Sequence, residues 1–139
     1  MARKYGAVRE RFLPFHGRAY RGQVKSFYAL AARLKINGYH NLRLNPDHWR
    51  RWLAHVGPIL IRVNHDATFD NPERGGFLND YQRHTVDGGH AVLLVGYTPN
   101  HFIIRNSWGV TWGDRGFGYA SVDYAKAAIT ESYGVLVIR

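Results

Sequence analysis

GGHAVLLVGY (residues 88–97), followed closely by FIIRNSWGVTWGDRGFGY (residues 102–119), decides the fold of this chain. Residues 91–97 and 102–105 are two apolar runs joined by Thr98-Pro99-Asn100-His101, and a turn-forming link of that length predicts a β-hairpin. His90 then sits just before the first strand and Asn106 just after the second, at the same open end. Opposed residues of an antiparallel pair have Cα atoms about 4.5–5.5 Å apart, so the Asn106 side-chain oxygen can accept a hydrogen bond from a ring nitrogen of His90. That bond would fix the tautomer and leave the second ring nitrogen free to take a proton. A base with its orienting partner makes up the last two members of a nucleophile–base–orienter arrangement. Trp108, two residues past Asn106, is placed to keep water from the pair.

Upstream, Asn45 fits a helix N-cap, Pro46 the first helical position, and Asp47 the positive end of the helix dipole. Trp49, Trp52, Leu53 and Val56 fall at i, i+3, i+4 and i+7, a single apolar stripe, before Gly57 and Pro58 stop the helix. Ile59-Leu60-Ile61-Arg62-Val63 follows as a short β-branched run and predicts a buried strand. Val24, Phe27, Tyr28, Ala31 and Leu34 recur at helical spacing and predict a helix over 24–34, with a short extended piece over 39–44. Residues 64–88 hold Asn, Asp, Pro and Gly and read as a long surface loop. Downstream, 119–122 and 133–138 predict two more strands, with a short helix near 123–128 between them. Residues 1–23 are basic and without a period, and read as an arm. The expected class is α+β, an antiparallel sheet with one well-defined helix packed on it.

A chain of 139 residues holds one core, and 45% hydrophobic with 14% aromatic residues excludes a disordered protein. There is no cysteine, which removes disulfides, thiolate metal sites and a thiol nucleophile from this chain. The net charge of +9 attracts acidic partners, nucleic acid first among them. The basic residues are nevertheless spread out, their densest cluster HWRRWLAH (48–55) lies on a predicted helix, and no nucleic-acid motif accompanies them, so they read as a solvated surface. No run approaches the roughly 18 apolar residues of a membrane span. MARKYGAVRERFLPF (1–15) lacks the apolar stretch of a signal peptide, so the chain reads as cytoplasmic by default unless an export signal lies on a further segment. No metal or cofactor is expected, since His16, His40, His48, His55, His65, His84 and His101 lack the company of a zinc site.

GGHAVLLVGY, NSWGVTWGDRGFGY and ESYGV (131–135) together resemble the C-terminal half of the papain and cathepsin family of cysteine peptidases, over roughly residues 33–139. LNPDHWRRWLAHVGPILIRV (44–63) is similar to the segment that gives that half its helix and first strand. The resemblance implies a papain-like right-hand lobe built as a half-barrel, with residues 1–32 an arm containing a possible helix. It implies that His90 is the catalytic base, Asn106 its orienting partner, and Trp108 a wall of the groove on its S1′ side. Gly89 and Ala91 would line the S2 pocket and, being small, leave it roomy. Trp112 fits either a groove wall or packing beneath the glycine-rich loop.

The departures from the family are equally plain. Its nucleophilic cysteine opens a helix about 130–150 residues before the histidine, whereas His90 has 89 residues before it and none is cysteine. KSFYALAA (25–32) loosely echoes the family's pattern around the nucleophile, with Phe27 in place of the cysteine and Tyr28 as the aromatic after it; a core helix is the plainer reading. Ser26, Ser107, Ser121 and Ser132 qualify as substitutes by type alone, because serine depends on a preformed oxyanion hole. The expectation is a lobe that supplies base and orienter for peptide-bond hydrolysis, with the nucleophile on another chain or another segment. The alternative is an inactive relative that binds an extended peptide in the same groove. The partners implied are a polypeptide, a cysteine-bearing N-terminal lobe, or a second copy of the chain.

Overall fold

The computed structural model describes residues 4–9 and 24–137. The arm read over 1–23 lies largely outside them. Elements run α1 (Val24–Ala31), β1 (Ile36–Asn41), α2 (Pro46–His55), β2 (Ile59–His65), α3 (Ala67–Asp70), β3 (Phe77–Leu78), β4 (Gly88–Tyr97), β5 (His101–Arg105), β6 (Phe117–Ser121), α4 (Val122–Ala128) and β7 (Ile129–Val137). The strands form one sheet in the order β1-β7-β2-β4-β5-β6-β3. By compactness the chain divides into Met1–Tyr39 with Val135–Arg139, and His40–Gly134. In the first unit, Tyr5 packs on Tyr28 with ring centroids 5.5 Å apart, and the Ala7 N–H donates to Leu34 O at 3.0 Å. The second unit carries the core and every residue of the site.

That core forms because α2 and α4 lay apolar faces on one side of the sheet. Asn45 caps α2, its side chain accepting from the N–H groups of Asp47 at 2.9 Å and His48 at 3.3 Å. Trp49 is fully buried, and its Nε1–H is shared between Arg43 O at 2.9 Å and Ser132 Oγ at 3.0 Å. Trp52 and Leu53 pack at the edge of this core. Val56 does not: it is 47% exposed, because α2 ends at His55 and Val56 leaves the helical conformation as the C-cap.

The β2 run is a strand buried on one face. Ile59, Ile61 and Val63 are buried while Leu60 and Arg62 are exposed, since helices cover one face of the sheet and period 2 sends alternate residues to the other. Residues 64–88 are not a structureless loop; they hold the end of β2, α3, β3 and a single 3₁₀ turn at Arg83–Thr85. Asp66 organises them from within. It is fully buried, and its carboxylate accepts from Phe69 N–H at 3.0 Å, Gln82 N–H at 2.7 Å and Tyr124 O–H at 2.5 Å. β3 pairs with β6 in parallel, Phe77 opposite Tyr119, so the sheet is not wholly antiparallel. α4, capped by Ser121 whose Oγ accepts from Tyr124 N–H at 3.1 Å, buries Tyr124, Ala125 and Ala128 and is a second packed helix. Among the described residues no helix is long and apolar enough to cross a membrane.

Candidate active site

The β4–β5 hairpin brings His90 and Asn106 together, though not as an opposed pair. The ladder ends at Leu93 opposite Arg105, with an irregularity between Leu94 and Gly96, so Asn106 reaches diagonally toward the start of β4. His90 Nε2 and Asn106 Oδ1 stand 2.8 Å apart. Ser107 N–H donates to the same Oδ1 at 2.7 Å, which requires that atom to be the oxygen. Nε2 must therefore carry the proton and donate. Nδ1 is left as the acceptor nitrogen, with no hydrogen bond among the described residues. Asn106 is buried, and its Nδ2 has no partner among the described residues. An unsatisfied buried donor costs about 1–3 kcal/mol, a cost that native structures carry where function requires it.

Aromatic rings fix the imidazole. Trp108 stacks on His90 with centroids 4.8 Å apart and an interplanar angle of 26°. Phe69, fully buried on α3, meets His90 at 6.1 Å, Trp108 at 5.5 Å and Trp112 at 4.9 Å. Trp112 is buried and donates its Nε1–H to Phe69 O at 2.8 Å, so packing is a role it plainly has. Trp108 is 43% exposed. Both tryptophans also line an open cleft of about 520 Å³ together with Asp70, Glu73 and Arg74.

Two bare glycines lead into His90, and each is covered by a basic side chain from β2. The register sets Asn64 opposite Gly89 and His65 opposite Gly88. The His65 ring lies over Gly88, with Nε2 3.3 Å from where a Cβ would stand, and its Nδ1 is 3.1 Å from Asp70 Oδ1. That gives His65 the carboxylate company it lacked on paper, within 6.4 Å of the His90 ring centroid. A Cβ at Gly89 would overlap the Arg62 guanidinium. The space left by Gly89 is thus filled by Arg62 rather than left roomy. Neither side chain stood out in the sequence, because α3 with Asp70 lay inside a stretch read as loop and Arg62 inside a strand read as buried. The alternation of β2 was the signal available for Arg62.

A family profile described as papain family cysteine protease matches residues 1–135. The chain belongs to the papain family. Cathepsin K of Mus musculus is 36% identical over 107 residues, a match covering 70% of this chain and 32% of that protein. Cathepsin F of Mus musculus is 32% identical over 117 residues, covering 72% of this chain and 23% of that protein. The chain thus spans about a third or less of the length of these curated relatives. Xylellain, a cysteine protease from Xylella fastidiosa, superposes with a TM-score of 0.82 at 24% identity, over 99% of this chain and 59% of that one, which is a likeness of fold.

Within this papain-family chain two of the candidate serines have structural work. Ser121 caps α4, and Ser132 is buried, donating to Arg43 O at 2.6 Å. Of the other histidines, the His40 ring lies 5.5 Å from Trp52, His48 Nδ1 is 3.2 Å from Leu42 O, and the His101 ring is 5.3 Å from Phe77; His16 lies outside the described residues.

Proposed function

We propose that this chain supplies the base and its orienting partner to a papain-type peptidase site whose thiol stands on another chain or on another segment. The observation that carries this reading is the His90–Asn106 hydrogen bond of 2.8 Å, with Nδ1 unengaged and Trp108 stacked on the ring, in a chain without cysteine. A thiol within hydrogen-bond reach of Nδ1 passes its proton to His90, and the thiolate attacks the peptide carbonyl. The imidazolium then returns the proton to the departing amine, and His90 activates water to release the acyl group. Asn106 contributes by holding the Nε2–H against a neutral oxygen, which prevents the ring from turning and stabilises its charged form. Gly89 and Ala91 form the floor of the groove beside the reacting bond. A surface for a second polypeptide is available on the open face of the sheet, where Leu60, Leu93, Val95 and Tyr97 are exposed.

The test is to mix the chain with a polypeptide bearing a papain-type cysteine helix, retained on it from its own source, and to follow hydrolysis of a fluorogenic peptide. Activity should need both components and fall about 10²–10⁴-fold on His90→Ala, the usual contribution of a positioned base. Hydrolysis that is indifferent to His90→Ala would remove the reading. Absence of hydrolysis together with peptide binding that Trp108→Ala weakens would favour the alternative, an inactive peptide-binding relative.

A further inference from the structure

We propose that Arg62 is a specificity-determining residue that selects a carboxylate side chain in the peptide lying along Gly89 and Ala91. The inference rests on the preceding reading of those two residues as groove. Arg62 stands directly opposite Ala91 in the β2–β4 ladder, so the two side chains share a face of the sheet. Its guanidinium bends from there across the neighbouring Gly89, where even a methyl group would overlap Nη2, Cζ and Nε.

The fork is held in place by neutral groups. Nη1 donates to Asn64 Oδ1 at 2.8 Å and to Thr130 Oγ1 at 2.7 Å, from the same strand and from β7 respectively. These two bonds orient the guanidinium without cancelling its charge. The nearest acid by register is Glu131, opposite Arg62 on β7. Its Oε2 instead accepts from Tyr133 O–H at 3.0 Å, and no ion pair joins it to Arg62. Nε and Nη2, one of the two edges with which arginine grips a carboxylate through parallel hydrogen bonds, therefore have no partner among the described residues. A charged group that is held in place, exposed and unpaired along one edge, lying over the backbone of Gly89, is built to receive an anion from something that lies along that strand. A peptide's aspartate or glutamate side chain fits both the charge and the fork. An uncharged amide of the same shape offers one acceptor and presents a repelling N–H to the second donor.

The experiment is a binding titration of the intact chain with synthetic peptides that carry Glu or Gln at one position in turn, read by fluorescence anisotropy. At one position Glu should bind about tenfold more tightly than Gln, a modest factor because the site is open to water. Arg62→Gln should bring the Glu peptide down to the affinity of the Gln peptide and leave the latter unchanged. Arg62→Lys should keep part of the preference, since an ammonium retains the charge without the fork. Trp108→Ala serves as the control for place and should weaken both peptides alike. Equal affinity for Glu and Gln peptides at every position, with both still weakened by Trp108→Ala, overturns the role of Arg62 and leaves the groove standing. Absence of binding by either peptide overturns the groove and this inference together.

Discussion

Replacing Asp66 with alanine tests whether the site is held from beneath. The carboxylate is fully buried and satisfies three donors, two backbone N–H groups and the Tyr124 phenol, at 2.5–3.0 Å. Each buried donor left without a partner costs about 1–3 kcal/mol. The three share one cavity, into which water can partly step, so their sum is not additive and about 3–5 kcal/mol is expected in total. With a denaturant slope of about 2 kcal/mol per molar, the urea midpoint should fall by about 2 M. Asp66→Asn is the finer probe, because it keeps an acceptor toward one pair of donors and turns an N–H against the remaining one. It should cost less, about 1–3 kcal/mol. The effect should also travel. Phe69 sits on the helix that Asp66 caps and packs under His90, Trp108 and Trp112, so the tryptophan emission and the His90 ring resonances should shift in the folded variant. An alanine variant within 0.5 kcal/mol of the parent, the range of ordinary surface changes at about ±0.5, would refute the reasoning.

Two further outcomes are expected. Burial raises the pKa of Tyr124 above its ordinary value, the hydrogen bond and negative charge of Asp66 adding to the effect, and a hydrogen bond to Asp114 raises that of Tyr119. A raised folded-state pKa means stability that is fully present below the unfolded value of about 10 and is lost as pH rises beyond it, so urea midpoints should fall from about pH 10 upward, less steeply in Tyr124→Phe; a midpoint flat through that range counts against the buried phenol. Gly134→Ala should destabilise by about 1–3 kcal/mol, because the added methyl would overlap the Trp52 indole, whereas Gly38→Ala, which meets nothing within 4 Å, should be near neutral by the same denaturation assay.

The parts of this molecule that could be read in advance are those written within a few residues. Asn45 and Pro46 announce α2, and two apolar runs around Thr98–His101 announce the hairpin that carries His90 and Asn106 to one end. What could not be read depends on side chains that meet across long stretches of chain. Asp66 and Tyr124 are 58 positions apart, Arg62 and Thr130 are 68, and Trp49 and Ser132 are 83. No local pattern reports such contacts, so α3 and its acid passed for loop. The open face of β2 is not legible for a related reason: four of its first five residues are apolar, and nothing in a run of that kind tells how many faces of the sheet will be covered. The Phe27 and Tyr28 echo stays where the sequence left it, on α1, with Tyr28 ringed by Tyr5 and Phe27.

The irregularity in β4 has a consequence for how this hairpin tolerates change in length. Leu94 faces Ile104 and Gly96 faces Ile103, so Val95 is a supernumerary residue with no counterpart on β5. It acts as a phase shifter. β2 holds residues 88–94 in step on the other side, from Ile59 with Leu94 to His65 with Gly88, and Leu94 keeps Ile104 opposite it, so deleting Val95 would close the bulge and leave that end of the ladder in register. The change would fall toward the turn, where Gly96 and Tyr97 would each move to the other face of the sheet, while His90 and Asn106 would keep their places. Length can therefore drift at Val95 and at the exposed tip around Pro99 and Asn100, but not between His90 and Leu94, where a lost residue would put the imidazole out of step with the strands on both sides.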